Sequence, residues 1–545
     1  MKIRIIGSVA AGTSVAAKAR RNNEEADIRI YDRDYDISYS VCGIPYFIGD
    51  EVEDLETLNP RDPAWFKKRY NVDIQTRHEV IDIDHDTKTL TIKNLDTGET
   101  LTDTYDILVF ATGASPLTPN IEGTELGHVF HVRTIQNAGA IDQFIESRKP
   151  KTATIIGAGY IGLEMAEQLT HLGIEVTILQ RSNQVMKHLD KDIADRITDT
   201  LKAHGVNVLL DQEAVRITET EITTSKDDTI ASDLVFLAVG VKPNTALAEK
   251  IGVKIGETGA IAVNEKMQTN LPDVYAVGDV AESFSVITGK PLYRPLGSTA
   301  NKMGRIAGDV ITGGDSIHRG ILGTGIVRVF ELAVGQTGLN EREALAQGYD
   351  IETLHNIKPA RAAYLGGKEI IIKAIADRAT GRLLGVQAVG EEGVDKRIDV
   401  FVTAMTFGAK AEDLFHLDLA YAPPFSTTKD PVMYTGMALD NAIKKQNKLL
   451  TPKELQHRIE KGESFQIIDT RAKTQYDKSH VPEAVNIPLA EIRNKAKELD
   501  PKKPILCYCN SGVSGNAAQN ILRHMGFEEV YNLSGGNKNY QEYRK

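Results

Sequence analysis

Lys2-Ile3-Arg4-Ile5-Ile6-Gly7-Ser8-Val9-Ala10-Ala11-Gly12 opens the chain with a short apolar strand that runs into a glycine turn. The residues after it predict a helix to about Arg21, and Asp27-Ile28-Arg29-Ile30-Tyr31 predicts a second strand ending at Asp32. Gly7 and Gly12 would let the backbone approach a pyrophosphate at a helix N-terminus, where the peptide dipoles favour an anion. Asp32 stands where a carboxylate accepts from ribose hydroxyls, about 20 residues past the last glycine. The same order recurs at Thr154-Ile155-Ile156-Gly157-Ala158-Gly159-Tyr160-Ile161-Gly162, followed by the strand Glu175-Val176-Thr177-Ile178-Leu179. One glycine motif is weak evidence. Two copies about 150 residues apart, each between a strand and a helix, predict two nucleotide sites.

Two further turns belong with the first copy. Leu108-Val109-Phe110-Ala111-Thr112-Gly113 is a strand into a glycine turn, and Val274-Tyr275-Ala276-Val277-Gly278-Asp279 is a strand ending in a carboxylate that could face the ribityl chain of a flavin. The second copy has no acid at its strand end, Leu179-Gln180-Arg181-Ser182. Gln180 can pair with ribose hydroxyls. Arg181 can take a 2′-phosphate or face water, so NADH and NADPH both stay open, with NADH preferred.

With 545 residues the chain is too long for one core. Its 41% hydrophobic and 26% charged residues are ordinary for a globular protein, and a net charge of −11 argues against nucleic acid as a partner. No apolar stretch is long enough to span a bilayer. The chain enters a strand at once, leaving no room for a signal peptide. Three cysteines exclude a disulfide framework and fit a reducing compartment, so a cytoplasmic protein is expected.

Cys42 lies in Ser38-Tyr39-Ser40-Val41-Cys42-Gly43-Ile44-Pro45. The other cysteines, Cys507 and Cys509, are far along the chain, and Phe47 stands where a Cys-x-x-x-x-Cys pair would place its second thiol. A redox-active Cys42 must therefore find its sulfur partner in a small-molecule thiol, or take up oxygen as a sulfenic acid. Pro45 marks a first helical turn, which would set Cys42 near a helix N-terminus and lower its pKa.

On these residues the chain to about position 440 resembles the pyridine nucleotide–disulfide oxidoreductases, in their single-cysteine branch of coenzyme A disulfide reductases, NADH oxidases and NADH peroxidases. The resemblance implies FAD at Gly7, Ala10, Ala11, Gly12, Asp32, Arg33, Ala111, Thr112, Gly113, Gly278 and Asp279, and NAD(P)H at Gly157, Gly159, Gly162 and Gln180. Oxidase and peroxidase members carry a histidine in the first glycine turn; here that residue is Ala10, which favours a thiol substrate. Asp418-Leu419-Ala420-Tyr421-Ala422-Pro423-Pro424 resembles the coenzyme A disulfide reductase signature, and Ala360-Arg361-Ala362-Ala363-Tyr364 the segment with the family's other tyrosine. By the same resemblance Tyr421 and Tyr364 act in a homodimer, reaching across to the partner's site, and Lys18, Arg21 and Ser38 hold coenzyme A. Its three phosphates would suit Lys18, Arg21 and also Arg69.

The C-terminal stretch resembles a rhodanese domain: Ile467-Ile468-Asp469-Thr470-Arg471, then Ser479-His480-Val481-Pro482-Glu483-Ala484-Val485-Asn486, then Cys509-Asn510-Ser511-Gly512-Val513-Ser514. Such a loop curls backbone N–H groups around the cysteine sulfur. Many rhodaneses have arginine where Ser514 stands, so thiosulfate is an expected poor donor. Cys507, on the preceding strand, reads as packing.

The expected fold class is α/β: two Rossmann-like nucleotide-binding domains, an α+β dimerisation domain and a C-terminal α/β rhodanese domain. The expected boundaries are 1–118 and 245–325 for the FAD domain, 119–244 for the NAD(P) domain, 326–443 for dimerisation, 444–450 for a linker and 451–545 for the rhodanese unit. The expected activity is reduction of coenzyme A persulfide, polysulfide or disulfide by NAD(P)H through FAD and Cys42, with sulfane sulfur supplied by Cys509. The rival readings are an NADH oxidase or peroxidase using a Cys42 sulfenic acid, and a redox sensor or scaffold.

Overall fold

Four of the five residues in the strand Lys2–Ile6 are buried because the strand lies in the middle of a parallel sheet; three are isoleucines, and the fourth, Arg4, is paired with Asp103 at 2.5 Å and Asp27 at 2.8 Å. In the computed structural model, which describes residues 1–544, the sheet order is Val274–Ala276, Ile107–Phe110, Lys2–Ile6, Asp27–Tyr31, Asp73–Gln75, all parallel. Strand order reverses between Lys2–Ile6 and Ile107–Phe110. Beyond the carboxyl ends of those strands lie the turns at Gly7, Gly113 and Gly278, the usual place for a ligand in such a sheet. The helix Ala11–Asn22 packs against the helix Gly297–Ile311 at very short range: a Cβ on Gly304 would lie 2.4 Å from the Ala11 carbonyl oxygen.

The second nucleotide motif builds a matching parallel sheet, ordered Asn207–Leu210, Glu175–Gln180, Thr152–Ile156, Leu234–Leu237, Val129–Phe130. Both sheets belong to one compact unit, Met1–Val185 with Lys202–Ile321.

The other unit consists of Met186–Leu201 and the chain from Leu322 onward. It holds an antiparallel sheet ordered Gly325–Val329, Leu332–Gly338, Leu383–Gly390, Glu369–Asp377, Ile351–Pro359. It also holds a parallel sheet ordered Leu449–Leu450, Val530–Leu533, Ile505–Tyr508, Gln466–Asp469, Val485–Asn486. The polar stretch read as a linker carries the end of the helix Pro431–Lys444 and the strand Leu449–Leu450.

Within this unit the ammonium of Lys373, 2% exposed, lies 2.8 Å from Asp192, 3.2 Å from Asp190 and 3.3 Å from Glu341, and His355 also bonds Asp192. Burial alone would raise the Asp192 pKa; Lys373 and His355 outweigh it and hold the carboxyl well below its ordinary range. Removing one member of such a cluster strands a buried charge, at a cost of about 3–5 kcal/mol. This cluster fixes the segment at 186–201 to the antiparallel sheet.

Candidate active site

The two glycine turns have the same construction. Gly7, at φ +96°, donates to the Tyr31 carbonyl, and a Cβ on Gly12 would lie 2.0 Å from the Gly7 oxygen. Gly157, at φ +108°, donates to Leu179, and a Cβ on Gly162 would lie 2.1 Å from the Gly157 oxygen. At Gly159, by contrast, a Cβ would meet open space, so the room there is left to a ligand. The helices Ala11–Asn22 and Tyr160–His171 have no side-chain cap at the turn, whereas the helix Ile135–Arg148 has a full capping box from Thr134. Uncapped N–H groups at a glycine turn are what a pyrophosphate needs, so the residues fit two dinucleotides.

The other predicted cofactor residues are placed unevenly. Ala10 and Ala11 form the start of the first helix, and Ala111-Thr112-Gly113 is held by Asn244, which donates to the Thr112 carbonyl at 2.8 Å. Asp32 is buried and accepts from the Ser8 backbone at 2.8 Å and the Asp34 backbone at 2.9 Å, so it braces its own turn. Arg33 is exposed, 3.9 Å from Glu79. The Gln180 amide accepts from Ala158 N–H at 3.0 Å and donates to Ser182, bracing the second turn. Arg181 points to solvent and lies 3.7 Å from Glu213.

Cys42 sits in a 3₁₀ turn, Val41–Gly43, and reaches the surface. The expectation of a lowered pKa is not met. Partial burial first, then the charges of Glu164 and Asp279, push the thiol up; Arg133 opposes them. The physical reason is local: burial of the thiol, with Glu164 and Asp279 nearby, outweighs Arg133, and the helix Ile44–Ile48 that follows has only five residues. Glu164 accepts from the Tyr46 hydroxyl at 3.2 Å, and Arg133 lies 3.6 Å from Asp279. Burial raises the Asp279 pKa.

Next to Ser38-Tyr39-Ser40, two residues before Cys42, opens a groove of about 680 Å³. Lys18, Arg21, Arg61 and Arg305 line it together with Trp65 and Tyr70, and no carboxylate does. Lys18 lies 2.9 Å from Asp309, so part of its charge is already met. Arg21 donates to the Tyr70 hydroxyl at 3.1 Å. Ser38 lines the groove; Arg69 does not, but stacks its guanidinium 5.9 Å from the Tyr70 ring centre. Arg61, Arg305, Arg133 and Glu164 carry no motif and were not singled out from the sequence.

In the other unit, Tyr364 and Tyr421 are 78% and 50% exposed, on loops joined by a bond from Ala362 N–H to the Pro423 carbonyl. Phe425 and Phe407, at 71% and 81%, are exposed in the same unit.

Cys509 follows the strand Ile505–Tyr508 and precedes the helix Val513–His524. Among the described residues the N–H groups of Ser511, Gly512, Val513 and Ser514 donate to nothing in the protein. Gly512, at φ +98°, turns the loop. From the other side, Asn537 N–H donates to the Cys509 carbonyl at 2.7 Å, and Arg471, bound to Asp469 at 2.6 Å, donates to the Asn510 amide at 3.0 Å. Cys507 is fully buried in the strand, and burial pushes its thiol far up, as packing requires.

Residues 1–302 match the pyridine nucleotide-disulphide oxidoreductase family, 325–431 its dimerisation domain and 451–543 the rhodanese-like domain. The chain belongs to the pyridine nucleotide-disulphide oxidoreductases, and is an enzyme whose cofactors are FAD and NAD(P)H. It is 41% identical over 445 residues to a protein of Pyrococcus furiosus named NAD(P)H sulfur oxidoreductase (CoA-dependent), which covers 80% of this chain and 99% of that protein. The crystal structure of reduced CoADR-RHD from Bacillus anthracis matches with a TM-score of 0.96 and 36% identity over 99% of this chain and 98% of that one. An NAD-dependent persulfide reductase from A. fulgidus matches with a TM-score of 0.91 and 35% identity over 99% and 100%. Among the described residues no helix is long and apolar enough to cross a membrane.

Proposed function

We propose that the protein uses NAD(P)H to reduce coenzyme A disulfide and persulfide, with Cys42 as its one redox thiol at that site. The observation that carries this reading is Cys42 beside an acid-free groove of four cations, with no second cysteine in its unit. A ligand with three phosphates and a thiol at the end of a long arm suits that groove. The names of the matched proteins support the same substrate class.

In the proposed reaction the Cys42 thiolate attacks the substrate sulfur that is bonded to coenzyme A's carbon arm. A Cys42–S–S–coenzyme A mixed disulfide forms, the substrate S–S bond breaks, and the departing sulfur, coenzyme A thiolate from the disulfide or hydrosulfide from the persulfide, keeps the electron pair. FAD, when bound, supplies the two electrons taken from NAD(P)H that open this mixed disulfide. Cys42 and coenzyme A then both return to thiolates. A raised Cys42 pKa has a use here: the sulfur of lower pKa leaves faster, so the mixed disulfide opens toward coenzyme A thiolate. Gly7, Gly12, Gly113 and Gly278 are assigned to FAD, and Gly157, Gly159 and Gly162 to the nicotinamide nucleotide. Asp32 and Gln180, committed to their own turns, act as braces. The Arg181–Glu213 pairing supports NADH over NADPH. Exposed Tyr364 and Tyr421, together with the matched dimerisation domain, support a homodimer in which each tyrosine donates a proton to the partner's leaving thiolate.

Cys509 is assigned the supply of sulfane sulfur. Its thiolate takes the outer sulfur of a polysulfide, the shortened chain leaving with the electron pair; coenzyme A thiolate then takes that sulfur and Cys509 is regenerated. Mass spectrometry of the oxidised holoenzyme tests the central claim. Reductant should release coenzyme A from the Cys42 peptide. A gain of one oxygen at Cys42, with no coenzyme A, would instead support the oxidase reading, which Ala10 already disfavours.

A further inference from the structure

Within the second unit a cavity of about 500 Å³ is lined jointly by the antiparallel sheet and the rhodanese residues. The sheet contributes Ile357 of the strand Ile351–Pro359 and its cross-strand partner Ile371 of Glu369–Asp377, an apolar pair on one face. The rhodanese part contributes Asn510, the residue after Cys509, and Asn537, whose N–H donates to the Cys509 carbonyl at 2.7 Å. The two parts are tied together beside the cavity: His355 N–H donates to the Ser534 hydroxyl at 2.7 Å, and Lys538 pairs with Glu369.

Four cations and two carboxylates, Glu369 and Glu542, line this cavity, and the cations are not equivalent. Arg471 is bound to Asp469, and Lys538 to Glu369. Arg196, from the helix Lys191–Ala203, is less well matched. One Nη donates to the Asn539 amide at 2.9 Å, the other lies 4.0 Å from Glu542, beyond a hydrogen bond, and the buried Nε–H has no acceptor among the described residues. Burial outweighs Glu542, Asp192 and Asp199 and lowers the Arg196 pKa, so the guanidinium is short of counter-charge. Lys478 is exposed and makes no ion pair among the described residues.

We propose that this cavity is the docking site of the sulfur donor, and that its lining selects a linear polysulfide anion. Arg196 and Lys478 meet the charged end, Ile357 and Ile371 pack against the uncharged sulfurs, and Asn510 and Asn537 set the chain beside the Cys509 loop. A polysulfide suits such a lining: its inner sulfurs are soft, polarisable and weakly hydrated, while its ends are anionic. The antiparallel sheet and the helix Lys191–Ala203 thereby belong to the donor site, which the rhodanese residues alone do not complete. The proposal rests on Cys509 being the sulfur carrier, but its first test does not depend on sulfur transfer.

The test compares an anionic with a neutral alkylating reagent at one thiol. Iodoacetate and iodoacetamide are given to full-length holoenzyme carrying Cys42→Ser, and the Cys509 peptide is quantified by mass spectrometry. Both reagents meet the same thiolate, so their rate ratio cancels any change in its pKa or in folding and reports the charge along the approach to it. Lys478→Glu should lower the iodoacetate-to-iodoacetamide ratio by roughly two- to fivefold at low salt. Arg196→Gln should lower it too, and Lys478→Arg should keep it. With Cys42 intact, Lys478→Glu should raise KM for polysulfide in NADH oxidation more than it lowers kcat. A ratio indifferent to Lys478 and Arg196, or an unchanged KM, would overturn the proposal. So would a Cys509 that neither reagent reaches, because a donor docked here could not deliver its sulfur. Coenzyme A lacking its thiol should leave the ratio unchanged; if it lowers the ratio, the cavity takes the acceptor's phosphates and the proposal falls. Failure of Cys509 to carry sulfur reads differently: the ratio still responds to Lys478→Glu, while Cys509→Ser leaves polysulfide turnover unchanged.

Discussion

Cys42 and Cys509 both stand at a turn beside a glycine, yet their electrostatic surroundings are opposite. Around Cys42 the carboxylates of Glu164 and Asp279 outweigh Arg133 and oppose the thiolate. Around Cys509 there are unused N–H groups from Ser511 to Ser514. The difference fits the two tasks in sulfur exchange proposed for these cysteines. A thiol that must end each cycle by expelling another thiolate gains from a high pKa, which makes it the poorer leaving group. A thiol that must hold a persulfide anion between donor and acceptor gains from donors that stabilise it.

The largest test of this contrast is Cys42→Ser, which should lower reduction of coenzyme A disulfide and persulfide by about a thousandfold or more. The flavin absorbance of the purified protein should be unchanged, since none of the nucleotide turns is touched. Turnover near the wild-type rate would remove Cys42 from the mechanism. Cys509→Ser should leave reduction of preformed coenzyme A persulfide within a factor of two and slow NADH oxidation with polysulfide by roughly tenfold. Equal polysulfide rates with and without Cys509 would erase the division of labour between the two cysteines.

A smaller effect tests the sign of the field at Cys42. In reduced holoenzyme, Glu164→Gln removes an anion that raises the Cys42 pKa, so the alkylation midpoint of the Cys42 peptide should fall by roughly half to one pH unit. Arg133→Gln should move it upward. Movement in the opposite directions would contradict the charge assignment. The smallest effect concerns the donor: Ser514→Arg should improve thiosulfate as a sulfur source by about two- to fivefold, since a guanidinium can pair with its oxygens. No gain would show that the N–H groups already saturate the loop's capacity for an anion.

The parts of this molecule legible in the sequence are those where a backbone constraint leaves a local trace. Gly7 and Gly12 are visible because no other residue fits that approach, and the recurrence at Gly157 and Gly162 makes the second sheet readable. The helix after Gly7, expected to about Arg21, runs Ala11–Asn22. Arg61, Arg305 and Arg133 left no such trace: each is a single cation in the sequence whose meaning comes from strands and helices distant in the chain. The raised pKa of Cys42 is not legible in the sequence, because Pro45 announces a helix start but neither the burial of the thiol nor the approach of Glu164. Asp32 and Gln180 each bond to their own turn; spacing locates such a residue at a strand end but carries no trace of the bonds that orient it.

The segment Met186–Leu201 leaves its sequence neighbours and joins the unit that begins at Leu322. Asp190 and Asp192 are locked there by Lys373, and Arg196 reaches the rhodanese residue Asn539. A recombination event that grafts a rhodanese half from one homologue onto the reductase half of another, cut near position 325, would import a surface matched to someone else's helix. Chimeras should tolerate exchange only when residues 186–201 travel with the C-terminal half, so this short helix should share the history of the antiparallel sheet and rhodanese unit rather than that of the nucleotide domain that encloses it in the gene.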